Sequence, residues 1–308
     1  MTKIETNNAV NTLSIPVVAA LLSVYFFWGT TYLAMKFAIE TFPPYIMLAI
    51  RFGAAGSIMY FILRLFKVEA PTKNQWKSAA IVGGVLLFLS TGSINFAQST
   101  VPSNISATVT AAVPLWIALF QWTIFKRGYP GIWTSAGLIL GFIGVVLLVS
   151  SSGSKESGGA LWGYILLIFA SSMWAMGSLL SSILDIPKSP LMAISAQMIF
   201  GAIFCFIAGA LRGEISNINV ANLSARSIIA LLYLIVFGSF VGYTAYIWLI
   251  RNTSPTLAST YAYVNPVVAI ILGWVLAGET LTAQEIVAVF IILVAVIAII
   301  KENSRVKK

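Results

Sequence analysis

The chain has 308 residues, 59% of them hydrophobic and only 9% charged, with 18 Lys and Arg against 9 Asp and Glu. A soluble domain carries about 25% charged residues. This composition therefore excludes a water-soluble globular protein, and the apolar residues instead come in repeated runs of about 17–25, enough to cross a ~30 Å hydrocarbon layer as helix. The net charge of +9 does not mark a nucleic-acid binder, because the basic residues stand singly between apolar runs and form no basic face.

Membrane β-strands would need ~10-residue alternating segments. The runs at 133–149 and 286–300 do not alternate, which leaves helices as the way to satisfy the backbone in lipid. The stretch before Ile15 is polar and lacks a cleavable signal pattern, so the first apolar run is expected to stay as an anchor. Ten spans are predicted, at 15–35, 44–66, 76–98, 103–125, 131–150, 161–183, 190–212, 226–250, 255–277 and 283–300. The longest polar gaps, at 67–77, 150–159 and 212–225, leave no room for a soluble domain. Cytoplasmic loops are enriched in Lys and Arg. With the N-terminus inside, only Lys36, Lys155, Arg212 and Arg226 fall on the outer side, so both termini are expected in the cytoplasm.

The sequence repeats. Trp28-Gly29-Thr30 has a counterpart in Trp174 with Gly177-Ser178, and Pro44 with Arg51 has one in Pro190 with Gln197, each pair 146 positions apart. The segment from Val101 to Pro114 corresponds to the one from Thr253 to Pro266 at an offset of 152. Five spans per half is an odd number, so the second copy would enter the membrane inverted, the arrangement behind alternating access. The expected fold is an all-α integral membrane protein of ten transmembrane helices in two inverted five-helix repeats. The first repeat occupies 1–150, the second 160–302, and a basic cytoplasmic tail 303–308.

Histidine is absent and Cys205 is the single cysteine. This removes the commonest proton shuttle and any internal disulfide or cysteine metal site. Cys205, inside an apolar run, reads as a packing residue. An intramembrane enzyme would cluster acids, bases or metal ligands in its spans, and no such cluster exists. Neither a catalytic residue, nor a metal, nor a cofactor is expected.

Several features together carry a family resemblance: Trp28-Gly29-Thr30-Thr31-Tyr32, the opening Pro43-Pro44 to Arg51-Phe52 of the second span, Tyr261-Ala262-Tyr263-Val264-Asn265-Pro266-Val267-Val268-Ala269, Gly278-Glu279, and Leu249-Ile250-Arg251-Asn252-Thr253-Ser254-Pro255. In order and spacing, over nearly the whole chain, they resemble the EamA-type branch of the drug/metabolite transporter superfamily and its YedA-like exporters. The resemblance implies a bacterial inner-membrane exporter of small metabolites, including amino acids. It also implies a cavity lined mainly by the third, fourth, eighth and ninth spans, with the first, second, sixth and seventh closing around it. The halves are not equivalent, since Lys126-Arg127 stands where the second half has Gly278-Glu279.

Arg51 lies about 10 Å below the outer end of its span at 1.5 Å per residue, and a charge at such depth is costly. It is either an anchor for a substrate carboxylate, by the bidentate pairing that Arg favours, or a structural Arg bonded to its surroundings. Glu279 is either its partner in a closed outer gate or a solvated loop acid. No carboxylate is placed near mid-membrane, and Glu285 is interfacial, so export without an embedded proton-coupling acid is expected, with proton-coupled antiport as the alternative. Substrate-binding candidates are Trp28, Asn95, Gln98, Trp116, Trp174, Tyr243, Tyr246, Tyr261, Tyr263 and Asn265. Aromatic walls and neutral polar groups suit a small amphipathic molecule, and the alternatives are interfacial belts or interhelical hydrogen bonds. Pro114 and Pro266, in corresponding positions, are hinge candidates. Gly137 with Gly141, and Gly238 with Gly242, have the spacing of close helix contacts. The expected partners are a small-molecule substrate and the lipid bilayer, with no nucleic acid, the chain acting as a monomer.

Overall fold

The computed structural model describes residues 14–101, 106, 109–126, 128–151, 161–218, 222–268 and 283–305, and every regular element among them is helical. In chain order these are α1 (Ile15–Ala38), α2 (Pro44–Leu65), α3 (Lys73–Ala97), α4 (Val113–Thr123), α5 (Ile132–Ser151), α6 (Leu161–Ile183), α7 (Pro190–Leu211) and α8 (Ala225–Asn252). They are followed by α9, which is Pro255–Ala258 continued over 261–268, and α10 (Ala283–Arg305). Six described helices, α1, α2, α3, α6, α7 and α8, are long and apolar enough to cross a membrane, and the shorter apolar helices lie in α4, α5 and α10.

The distribution of side chains is that of a protein dissolved in lipid. Phe26, Phe61, Ile143, Phe206 and Phe290 point outward and are exposed, while Arg51, Asn95, Gln98, Gln197 and Asn265 are buried. In water such an apolar exterior would be an aggregation surface. In hydrocarbon it is the solvated face, and the polar groups turn inward to find partners.

Helix starts follow local chemistry. α1, α2, α7 and α9 each carry Pro in the first turn, where its missing N–H has no intrahelical partner to lose. Ser189 and Ser254 cap α7 and α9, and Thr72 with Gln75 forms a capping box on α3. α2 has no such residue, since Pro43 precedes Pro44. Its free N–H groups at Tyr45 and Ile46 instead donate to Glu214 Oε2, at 2.9 and 3.1 Å. Glu214 lies in the 3₁₀ turn Glu214–Asn217 after α7, so a carboxylate from the second half holds the positive end of a first-half helix.

The helices pair in a way that exchanging the halves leaves unchanged. α2 packs on α7 and α5 on α10, while α1 lies against the middle of α8 just as α6 lies against the middle of α3. Those two middles are the π-helical stretches Gly84–Gly92 and Leu234–Tyr243. Such widened turns free backbone and side-chain groups from the ordinary helical register and recur at functional sites. Pro114 stands at the second residue of α4, just after a turn at 111–112, whereas Pro266 lies inside 261–268, after a turn at 259–260. Each helix is broken near its proline, but not at the same distance from it.

Glycines set the closest approaches. A Cβ on Gly56 of α2 would lie 2.9 Å from Met198 Cβ and 3.0 Å from the Ser195 carbonyl of α7, whereas on Gly53, one turn earlier, it would meet only Ala202 Cβ at 3.6 Å. Gly53→Ala should therefore keep or raise the melting temperature in detergent through better helix propensity. Gly56→Ala should lower it by overpacking worth about 1–3 kcal/mol; equal behaviour of the two would mean that α2 and α7 are not packed in this register.

Candidate functional site

Trp28, at the middle of α1, is where the site begins. Its indole is ringed by Trp174 of α6, Tyr243 and Tyr246 of α8 and Tyr261 of α9, at centroid distances of 5.3, 5.0, 4.9 and 4.9 Å. The contacts are edge-on or tilted, the geometry that aromatic quadrupoles favour. The polar tips are also engaged. Trp28 Nε1 donates to the Gly238 carbonyl at 3.0 Å, and Trp174 Nε1 donates to Tyr246 Oη at 3.1 Å. Tyr246 Oη shares a further hydrogen bond of 2.6 Å with Ser178. A buried aromatic plug thus spans four helices with its donors satisfied.

A chamber lies against this plug. Along α1 its lining residues are Trp28, Thr31, Tyr32 and Met35, more than any other helix supplies, and their i, i+3, i+4, i+7 spacing defines one helix face. Arg51, Thr91 with Ile94, Thr110 with Val113, Ser171 and Asn265 complete the polar and apolar walls together with the plug rings. Since Thr31 to Met35 run from Trp28 toward the C-terminal end of α1, the chamber occupies that half of the bundle. On the other side of the plug, Tyr25 and Thr260 share a 2.6 Å hydrogen bond that ties α1 to α9. The chamber leaves ≈ 50 Å³ for the centres of water molecules, room for a few waters, given that one needs about 10–15 Å³. This is a constricted state.

Arg51 is 3% exposed. Its Nε donates to Ser239 Oγ at 3.0 Å, and its guanidinium lies 5.1 Å from the centre of the Phe52 ring. Among the described residues the ion pairs are Arg212 with Glu214 and Arg226 with Glu40, so Arg51 enters the chamber without a carboxylate partner there. Glu279, its candidate partner, lies outside the described residues. Tyr243 Oη shares a 3.2 Å hydrogen bond with Thr91 Oγ1, which joins the two π stretches across the chamber.

Of the sequence candidates, Trp28, Trp174, Tyr243, Tyr261, Asn265 and Arg51 line the chamber, and Tyr246 stands behind them in the plug. Asn265, oriented with its nitrogen donating, reaches the carbonyls of Tyr261 at 3.0 Å and Tyr25 at 3.3 Å. The remaining candidates lie elsewhere. Asn95 donates to the Pro44 carbonyl at 2.7 Å. Tyr263 donates to the Leu138 carbonyl and packs in a separate cluster of α4, α5, α9 and α10, and Trp116 packs on Phe120. Gln98 lines a different cavity at the helix ends. Sequence reasoning missed Thr31, Tyr32, Met35, Thr91, Ile94, Thr110, Val113 and Ser171. Several of them lie three or four residues from a flagged aromatic, and that helical spacing was the available signal. Gly238 and Gly242 floor the site, because a Cβ on the first would lie 2.7 Å from Arg51 Nη2 and one on the second would strike the Trp28 indole.

These features define an all-helical membrane protein built around a narrow polar-aromatic chamber. The chain belongs to the EamA-like transporter family, whose sequence profile matches residues 9–150 and again 161–301. It is 36% identical over 286 residues to the protein of Escherichia coli K12 named uncharacterized inner membrane transporter YedA, covering 92% of this chain and 90% of that one. A WAT1-related chloroplastic protein of Arabidopsis thaliana is 28% identical over 282 residues, with 90% and 67% covered. A chain in a solved crystal structure superposes with a TM-score of 0.72 over 94% of this chain and 98% of that one. At 16% identity, that likeness concerns the fold alone.

Gly242→Ala should drive Trp28 from its bond to Gly238 and lower the melting temperature by overpacking of about 1–3 kcal/mol. Trp28→Phe in the same chain should relieve the clash, so that the double variant loses clearly less than the sum of the two single losses. Additive losses would show that Gly242 and Trp28 are not in contact.

Proposed function

We propose that the protein is a bacterial inner-membrane exporter of small metabolites, amino acids with aromatic or apolar side chains or amphipathic compounds of similar size, working by alternating access. The observation that carries this reading is the constricted chamber at the centre of the bundle, walled by aromatic rings and hydroxyls and holding the buried guanidinium of Arg51. The rings offer stacking area, and the free N–H groups of Arg51 offer a bidentate seat for a carboxylate. The exchange-symmetric pairing of α1 with α8 and of α6 with α3 supports two matching five-helix halves, while the excess of Lys and Arg on one side of the ten spans supports both termini in the cytoplasm and the odd span number supports an inverted second half. The plug then closes the cytoplasmic side, and the chamber belongs to the outer half.

Export in this reading is not coupled to a proton through an embedded carboxylate. Glu214 is the buried acid among the described residues, and it is engaged with the N-terminus of α2. Liposomes containing the protein and loaded with L-phenylalanine should release it faster than empty liposomes, at a rate that an imposed pH gradient leaves unchanged. Arg51→Gln should weaken apparent affinity roughly tenfold to hundredfold, the worth of a hydrogen bond to a charged group. Release no faster than from empty liposomes across a panel of amino acids and amphipathic metabolites would sink the proposal. Strong stimulation by the gradient would favour proton-coupled antiport.

A further inference from the structure

Each residue that lines the chamber has a counterpart in the other half of the chain. α1 and α6 begin at Ile15 and Leu161, 146 positions apart, and α2 and α7 keep that offset at both ends, from Pro44 and Pro190 to Leu65 and Leu211. Thr72 and Ser224 cap α3 and α8 at the other offset, 152. On α1, Thr31 and Met35 follow Trp28 into the chamber, whereas on α6 Ser171 precedes Trp174 there. The two helices therefore pass the chamber in opposite directions. Gly177 and Ser181, which match Thr31 and Met35, lie beyond the plug.

The counterparts are packed shut. Where Thr31 faces the chamber, Gly177 lies against α3, a Cβ there standing 3.0 Å from Leu86 Cβ. Where Ile94 lines it, Tyr246 is fully buried and bonded to Trp174 and Ser178. Where Ser171 lines it, Tyr25 is tied to Thr260. Gly83 lets the α3 backbone lie on α7, since a Cβ on it would strike the Gln197 carbonyl; its counterpart on α8 is Ile235. Two polar groups are caught in this packing. Gln197, which matches Arg51, is 1% exposed, and Ser181 is 3% exposed. Neither Gln197 Nε2 nor Ser181 Oγ has a hydrogen-bond partner among the described residues. Such groups are unfavourable in a closed interior, where leucine and alanine would pack without that cost.

We propose that Gln197 and Ser181 form a second cargo site, sealed in this state and opened when the two halves exchange conformations. Halves of like sequence have the same two packings open to them. When α6 and α7 take the arrangement that α1 and α2 hold here, Gln197 Nε2 and Ser181 Oγ stand where Arg51 and Met35 now stand, at the wall of a space beyond the plug. In the proposed orientation that space faces the cytoplasm. The site is neutral, so it seats a carboxylate by an amide and a hydroxyl, where the outer chamber uses a guanidinium. It rests on the exporter reading for its ligand, and it places the loading step of that cycle on named residues.

The test uses detergent-solubilised protein carrying Ser181→Cys. Cys205 stays unlabelled in either state, because it is fully buried and its counterpart Met59 is buried away from the chamber. A charged methanethiosulfonate should modify Ser181→Cys, and L-phenylalanine should slow the reaction. Gly83→Ala, which pushes α3 off Gln197, should speed that reaction severalfold and slow the modification of Met35→Cys in the chamber, since one side closes as the other opens. Gln197→Leu should raise the L-phenylalanine concentration for half-protection of Ser181→Cys about tenfold, the worth of a hydrogen bond to a charged group. It should also raise the melting temperature, which a purely structural glutamine would not. Gln197→Asn, which withdraws the amide by one carbon, should weaken protection likewise and serves if Gln197→Leu does not fold. Faster labelling at both Ser181→Cys and Met35→Cys in Gly83→Ala would mean loosening rather than exchange and would overturn the proposal. So would protection indifferent to both Gln197 variants. Transport of L-phenylalanine with Ser181→Cys inert or unprotected would remove the second site and leave the exporter, whereas protection without transport would remove the exporter and leave the site.

Discussion

The structure turns on the burial of one indole. Trp28 touches aromatic rings from three other helices and gives its single N–H to a carbonyl in a π-helical stretch of α8. Each ring pair is worth about 0.5–1.5 kcal/mol beyond its buried area, so the cluster is among the strongest local associations between α1 and the second half. It works only because Gly242 lets the indole lie on the α8 backbone and because the widened helix leaves the Gly238 carbonyl facing it. The chamber lies on one side of this plug, and on the other side the bond between Tyr25 and Thr260 ties α1 to α9.

The second constraint is charge in a low-dielectric interior. Arg51 is held by Ser239, a neutral partner, and by the face of Phe52, an arrangement that fixes the guanidinium while leaving donors for an anion. A tight carboxylate partner would satisfy it fully and remove that capacity. The buried carboxylate Glu214 is placed where a helix N-terminus consumes it. The two charges therefore do different work: Glu214 fixes the ends of α2 and α7 together, and Arg51 faces the space between the halves.

Much of the fold could be read from residues alone, because lipid demands long apolar helices and leaves little else to choose. Trp28 and Trp174 were legible through the repeat, and their contact joins the two halves. The π stretches were not legible, since Gly84–Gly92 and Leu234–Tyr243 are as apolar as any ordinary helix and only tertiary contacts widen them. Face assignment also failed where a polar residue sat one or two positions from a lining one. Asn95 adjoins Ile94 but turns to the Pro44 carbonyl, and Tyr263 follows Tyr261 by two residues but turns toward α5. Consecutive helical side chains diverge by about 100°, so a residue's type does not tell which face it occupies. The role of Glu214 was hidden because its partners lie about 170 positions earlier in the chain, with no local spacing to betray them.

On the proposed route the plug must part for cargo to pass, and the bond between Tyr25 and Thr260 is the place to hold it shut. Tyr25→Cys with Thr260→Cys, joined by a short bifunctional methanethiosulfonate, would fasten α1 to α9 on the far side of the plug from the chamber. Liposomes bearing the joined protein should cease releasing L-phenylalanine and recover on reduction with dithiothreitol. Undiminished release from fully joined protein would contradict alternating access through this plug.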